Sequence, residues 1–223
     1  MKRQYLGDSK DSFKWDYHHY LVAALGYKHL KIAWMMTPDD HGPDGNTAPE
    51  LFPARQEVLN LCHRLRAHRD PELVLGLPAT TGARYEVSFH DPDKARNGNS
   101  HHSFFAGIRT RKDQVIFLDP NNGFEPERSS SEKHVRYADL DRLIRSVSPE
   151  TVVTVFQHHR RKKFPDDFAR IRERLLSGYS TAIYWHALMF VCVSLSAETI
   201  RRVSKINREY EKYHPVKVIQ PDT

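Results

Sequence analysis

The chain has 223 residues, of which 39% are hydrophobic and 28% are charged, a composition that fits a globular protein. Its 34 Lys and Arg outnumber 28 Asp and Glu, and the net charge of +6 indicates a polyanionic partner, nucleic acid first; the alternative is a merely basic protein. Two cysteines, Cys62 and Cys192, exclude a disulfide framework and a cysteine zinc site, and favour a reducing cytoplasm.

Two stretches bear on targeting and membranes. The N-terminal MKRQYLGDSKDS has no apolar region, so we expect no signal peptide. The longest apolar stretch, residues 181–195, is too short to span a bilayer and favours a buried strand. We therefore expect a cytoplasmic protein without a membrane segment.

The first half of the chain predicts two helices and an intervening strand. Periodic apolar residues predict a helix over 10–26, with Gly26 as its end. The preceding Gly-Asp-Ser is typical of a helix cap, and the alternative is that Asp8 or Asp11 lines a crevice. A strand over 30–36 and a helix over 50–67 follow, separated by a Pro- and Gly-rich loop.

The second half predicts a regular alternation of strands and helices. The predicted strands cover 83–90, 115–118, 151–156, 182–195 and a short last segment, and the helices cover 137–147, 166–178 and 196–214. Such alternation predicts a mainly parallel central sheet covered by helices on both faces. We therefore expect a single α/β domain over residues 1–223 with a three-layer α/β/α architecture.

Polar residues follow three of the predicted strands. They are Asp39, Asp40 and His41 after the first, Asp119, Asn121 and Asn122 after the 115–118 strand, and Gln157, His158, His159, Arg160 and Arg161 after the 151–156 strand. If these strands are parallel, the three loops open on one edge of the sheet, where ligands bind in α/β folds. The alternative is that Asp-Pro-Asn-Asn-Gly is only a tight turn.

The three loops resemble the motifs of the uracil-DNA glycosylase superfamily. PDDHGP at 38–43 is similar to its Asp-Pro-Tyr-His-Gly-Pro-type loop, with Asp and Pro in a different order. FLDPNN is similar to the strand that carries its base-reading Asn, and QHHRR to its His-Pro-Ser-type loop, without the Pro and Ser. The resemblance covers about residues 28–195, and its departures favour a modified base over uracil. A phage-defence enzyme that excises glucosylated hydroxymethylcytosine is the specific form we consider.

The resemblance implies roles by matching position. Asp39 or Asp40 would activate water, Asn121 would read the base and His158 would assist its departure. Asp119 is added because a carboxylate at a strand end suits stabilisation of a sugar cation. The further substrate-binding candidates are Asn122, His41, Gln157 and His159, and the candidates for gripping phosphate are Arg160, Arg161, Lys162 and Lys163. Such an enzyme implies DNA as partner, base flipping, and no metal or other cofactor; we favour a monomer.

Three other functions fit parts of the pattern. A nucleic-acid methyltransferase would use S-adenosylmethionine and place LDPNNG at the target base, but its cofactor loop lacks Gly-x-Gly. A metal-dependent nuclease would draw ligands from Asp39, Asp40, His41, His90, Asp91 and Asp93, without a recognisable spacing. A non-catalytic DNA-binding module would explain the charge but not the acids at the strand ends.

Overall fold

A computed structural model describes residues 2–35, 39, 45–90, 105, 107–108, 111–128 and 130–221. The fold is mixed α/β. Its strands are β1 His29–Trp34, β2 Glu86–Phe89, β3 Gln114–Asp119, β4 Gly123–Phe124, β5 His134–Val135, β6 Val152–His158, β7 Tyr179–Trp185, β8 Leu188–Ser194 and β9 Lys217–Ile219. Seven of them form one sheet in the order β2-β1-β3-β6-β8-β7-β9, and β4 pairs with β5 alone.

The sheet is mostly parallel, as the alternation of elements predicts. β2, β1, β3 and β6 are parallel neighbours, with Leu30 opposite Val115 and Val115 opposite Val152. β8 is antiparallel to both β6 and β7, and β9 is antiparallel to β7, so five of the seven strands point the same way. The carboxyl ends of β1, β3 and β6 therefore meet at one edge, which we call the carboxyl edge.

Six α-helices lie in the part of the chain that the structure describes. They are α1 Ser9–Leu25, α2 Gln56–His68, α3 Leu77–Thr81, α4 Tyr137–Ser146, α5 Phe164–Arg174 and α6 Ala197–Glu211. The Asp8 carboxylate caps α1 by accepting from the backbone N–H groups of Lys10 and Asp11, and the Ser196 hydroxyl caps α6 by accepting from Thr199 N–H. Gly26 ends α1 in the left-handed conformation.

The apolar residues form two core clusters. Val115 and Phe117 of β3 join residues of α1, α2 and α6 in one cluster. Ile116 and Leu118 of the same strand join residues of α4 and α5 in the other. Because successive side chains of a strand point to opposite faces, β3 contributes to both clusters, which explains its unbroken apolar run.

The prediction of one long strand over 182–195 is wrong. The segment is the β7–β8 hairpin, in which Trp185 lies opposite Leu188. His186 makes the turn with a φ of 46°, a left-handed conformation that is uncommon outside Gly but in which Asn, Asp and His are enriched. No Gly, Asn or Pro lies at this position, so the sequence of the apolar run does not indicate that the chain reverses there.

The prediction of a helix over 50–67 is wrong at its start. Residues Pro49–Leu51 form a short 3-10 turn, and the α-helix begins only at Gln56. Pro53 lies between them and has no backbone N–H to continue a helix. Among the described residues, no helix is both long enough and apolar enough to cross a membrane.

Candidate active site

A cavity of about 220 Å³ opens at the carboxyl edge, where the first turns of α1 meet the ends of β3 and β6. Asp119, Pro120, Asn121 and Asn122 line it from β3, Phe156 and His158 from β6, and Tyr5, Asp8, Lys10, Asp11 and Lys14 from the N-terminal segment. The helix start faces the strand ends because α1 runs against the direction of β1. Charged groups from three elements thus converge in one small space.

Lys14 is the centre of this site. Its ammonium lies 2.8 Å from Asp11 Oδ1 and 2.9 Å from Asp119 Oδ2, and its side chain is only 5% exposed. Burial alone would lower the pKa of Lys14, but the carboxylates of Asp11 and Asp119 more than offset burial, so the pKa is raised. Lys14 is therefore a permanent cation between two carboxylates.

Aromatic rings surround the Lys14 ammonium on its other sides. The nitrogen lies 5.4 Å from the Trp15 ring centroid, 5.6 Å from that of Phe156 and 6.0 Å from that of Phe117. These rings exclude water while their faces still attract the cation. The low-polarity wall strengthens the two ion pairs and fixes the Asp119 carboxylate at the end of β3.

Asp8 is a buried carboxyl group whose pKa is raised toward neutrality. Burial and the neighbouring Asp11 carboxylate raise its pKa from 3.8 to about 6, against the hydrogen bond from the Asp11 backbone N–H and the attraction of Lys14 and Lys10. Its Oδ1 accepts from Lys10 N–H at 2.9 Å and from Asp11 N–H at 3.0 Å. A fixed carboxyl group that titrates near neutrality can accept or donate a proton under working conditions.

His158 and Lys10 form a second polar pair at the cavity. His158 ends β6, and its Nε2 lies 3.5 Å from the Lys10 ammonium. Phe156 stands edge-on to the His158 ring at 5.8 Å between centroids. An imidazole beside an ammonium presents hydrogen-bond donors and positive charge to a ligand.

The Asp-Pro-Asn-Asn-Gly segment turns directly beside these groups. Asn121 and Asn122 are half-buried and line the cavity. Asn122 N–H donates to the Lys133 carbonyl at 3.0 Å, and its side-chain nitrogen lies 3.4 Å from His134 Nε2. The turn is thus anchored through Asn122, and Asn121 is among the residues that line the cavity.

Gln157 does not line the cavity. Its side chain instead anchors the backbone of the turn through hydrogen bonds. Its Oε1 accepts from Phe124 N–H at 2.8 Å, and its Nε2 donates to Asp167 Oδ2 at 3.0 Å. Gly123 has a φ of 99°, and a Cβ there would stand 2.2 Å from Gln157 Oε1. Residue 123 must therefore be glycine, because the Gln157 side chain lies too close for a Cβ. Gln157 acts as a positioning residue that fixes the backbone of the turn.

Other candidate residues from the sequence lie elsewhere. Asp39 is exposed, accepts from Gln4 N–H at 3.3 Å and is not part of the cavity lining. Asp40 and His41 lie outside the described residues. His159 is exposed, with its ring 5.4 Å from that of Phe164.

The basic residues after β6 also lie outside this cavity. The Arg160 guanidinium donates to the Phe124 carbonyl and, with Lys162, lines a second cleft. Arg161 is exposed with a φ of 52°, and Lys163 precedes α5. The stretch thus faces a neighbouring surface rather than the cavity that holds Asp119 and His158.

Sequence reasoning missed Lys10 and Lys14 and left Asp8 and Asp11 open. Positions 8, 11 and 14 follow helical spacing, so their side chains share one face of α1. That helix is buried on nearly all sides, with Phe13, Trp15 and Tyr17 inside as well. Charged residues within so apolar a helix must find partners, and this signal could have identified them.

His18 supports the same helix face as a neutral group. Its Nδ1 contacts the Lys14 carbonyl at 2.7 Å and its Nε2 contacts Thr154 Oγ1 at 2.8 Å. Burial lowers the pKa of His18 to about 3. His18 therefore ties α1 to β6 without adding charge beneath the site.

Among the residues that the structure describes, no three His, Cys, Asp or Glu side chains are placed to hold a metal ion. The space between Asp11 and Asp119 is taken by the Lys14 ammonium. No protein-family model matches the chain, and a comparison with curated proteins found no match.

Proposed function

We propose that the chain is a DNA glycosylase that hydrolyses the N-glycosidic bond of a flipped, modified nucleotide. The observation that carries this proposal is the charge pattern of the cavity, whose lining combines the buried carboxylates of Asp8, Asp11 and Asp119 with the Lys10–His158 pair. Breaking an N-glycosidic bond develops positive charge on the sugar and negative charge on the departing base. The cavity supplies groups that complement both charges.

Each group has a role in this hydrolysis. The C1′–N bond breaks with its electron pair going to the base, which His158 and Lys10 stabilise. Asp119, held by Lys14, stabilises the sugar cation. Asp8 in its ionised form accepts a proton from water as the water oxygen bonds to C1′. Asn121 donates to and accepts from the edge of the base.

The wider architecture is part of the proposal. We propose that the two core clusters lie on opposite faces of the sheet, giving a three-layer α/β/α arrangement with the cavity at the carboxyl edge. Within this proposal, we favour a cytoplasmic enzyme that acts on glucosylated hydroxymethylcytosine in phage DNA.

A product assay tests the proposal. The purified protein is incubated with matched DNAs that contain cytosine, uracil, hydroxymethylcytosine or glucosylated hydroxymethylcytosine, and abasic sites and free base are measured. We expect base release from a modified DNA without added cofactor. Mass gain on the DNA only in a parallel reaction with S-adenosylmethionine would replace the proposal with a methyltransferase.

Two variants locate the activity. Asn121→Ala should abolish base release and leave DNA binding intact, because the side chain reads the base and carries no buried charge. Asp39→Ala is the matched control, since this residue is exposed and outside the cavity lining. Full activity of the Asn121 variant would show that the Asp-Pro-Asn-Asn-Gly motif is only a structural turn.

A further inference from the structure

A second cleft, of about 340 Å³, lies next to the cavity. Five cationic side chains line it: Arg128, Arg160, Lys162, Arg170 and Arg174. Among the described residues its acids are Glu127 and Asp167, so this part of the lining carries a formal charge of +3 from five cations and two acids. A concave surface with this balance attracts phosphate groups.

The two acids of the cleft already have protein partners. Glu127 is ion-paired with Arg170. Asp167 is buried and its carboxylate accepts from Gln157 Nε2 at 3.0 Å. Burial raises the pKa of Asp167, and the opposing effects of Arg160 and of the Gln157 hydrogen bond only partly offset it.

Two of the guanidinium groups are held in fixed positions. The Arg174 guanidinium lies 4.3 Å from the Tyr137 ring centroid and donates to the Glu125 carbonyl at 3.2 Å. Arg160 donates to the Phe124 carbonyl and lies 3.4 Å from Gln157 Oε1. A guanidinium that is already oriented loses little conformational freedom when it binds phosphate, and it retains N–H groups to donate.

The cleft and the cavity share two backbone segments. Residues 119–122 and His158 line the cavity, whereas residues 126–128, Arg160 and Lys162 line the cleft. One residue, His159, separates His158 from Arg160, a span of at most about 7.6 Å between their Cα atoms. The two surfaces are therefore close enough at the end of β6 for one DNA strand to reach both.

We propose that this cleft binds backbone phosphates of the same DNA strand whose base enters the cavity. The inference rests on the proposed function, because it names the surface that carries the strand beyond the flipped nucleotide. Phosphate contacts position a strand without reading its sequence. The cleft thus sets the register, and the cavity selects the base.

Binding of a short labelled single-stranded DNA, measured by fluorescence anisotropy over a range of salt concentrations, tests the inference. The cleft variant is Lys162→Gln/Arg170→Gln. The matched control is Lys205→Gln/Arg201→Gln on α6, which also removes one exposed lysine and one arginine that is paired with a glutamate. Thermal unfolding verifies that the cleft variant and the α6 control are folded. If the double cleft variant does not fold, the single variant Lys162→Gln replaces it in the binding measurement.

The expected effect is a change in salt dependence. Each lost phosphate contact lowers the slope of log K against log salt by about 0.7, so the double variant should be shallower by about 1.4. Extrapolated from 1 M, that difference corresponds to roughly 25-fold weaker binding at 0.1 M salt. The α6 control should keep the parent slope.

The outcomes separate this inference from the proposed function. An unchanged slope in the cleft variant, or a parent that does not bind DNA, overturns the inference, whatever the base-release assay gives. A shallower slope in the cleft variant, with no base release by the parent on any DNA, supports the phosphate cleft and refutes the glycosylase.

Discussion

Replacing Lys14 by Met removes the central cation of the site and keeps the shape of the side chain. At 2.8 and 2.9 Å, each ion pair has a gross attraction of about 6 kcal/mol with an effective dielectric constant of about 20. Desolvation of the three charges offsets most of this attraction in the parent. The variant keeps the desolvation of Asp11 and Asp119 without the compensating charge, so we expect a loss of about 3–5 kcal/mol.

Urea denaturation at pH 7 measures this loss. With an m-value of about 2–3 kcal/mol/M, the midpoint should fall by roughly 1–2.5 M. Lys10→Met, in the same helix but at its half-buried edge, is the control and should cost less than about 1 kcal/mol.

Two further measurements test the physical cause. Adding Asp119→Asn to Lys14→Met should recover part of the lost stability, since it removes one stranded charge. The deficit should also narrow as the pH falls, because protonation neutralises the stranded carboxylates. Equal midpoints for the Lys14 and Lys10 variants at pH 7 would refute the reasoning that the ammonium compensates two buried carboxylates.

Two other predictions concern the same edge of the sheet. Asp8→Asn keeps a good helix cap but removes the titrating group, so base release should fall about 10²–10⁴-fold and lose the limb that rises through pH 6 in the parent. The folded-state pKa of Asp8 lies above 3.8, so ionisation costs stability as the pH rises through about 6, and urea midpoints of Asp8→Asn should lack this dependence. If the Asp8→Asn variant kept the rising limb of the pH profile, the limb would reflect the titration of another group. Gly123→Ala should destabilise the protein by about 1–3 kcal/mol and reduce base release, because its Cβ meets Gln157. Gly82→Ala, with a φ of 69° and open space, is the control, and an equal loss of stability in the two variants would show that contact with Gln157 adds nothing.

The sequence predicted the parallel strands of the sheet correctly but missed a chain reversal within it. Alternating strands and helices indicated the parallel neighbours β1, β3 and β6, because buried parallel strands are unbroken apolar runs between amphipathic helices. The β7–β8 hairpin was missed, since His186 gives no turn signal within an apolar run. Local composition cannot distinguish one long buried strand from two when the turn residue is not Gly, Asn or Pro.

The candidate site was predictable only where its residues follow strands. Asp119, Asn121 and His158 lie at strand ends, so topology alone brings them to one edge. Asp11 and Lys14 belong to a helix, and their role depends on which face of α1 turns toward β3. That orientation is set by tertiary packing of Phe13 and other buried residues, which the charge pattern does not reveal.

The Asp-Pro-Asn-Asn-Gly motif is both a turn and a candidate site, and the two roles depend on each other. Gln157 can approach the backbone only because residue 123 is glycine, and this contact fixes the turn that presents Asn121. Asp119 begins the same turn and is held by Lys14 from α1. A turn needed only for chain reversal would not require a buried cation from a different element. The burial of three charged groups, Asp11, Lys14 and Asp119, at the start of this turn is therefore the physical argument for a functional edge of the sheet.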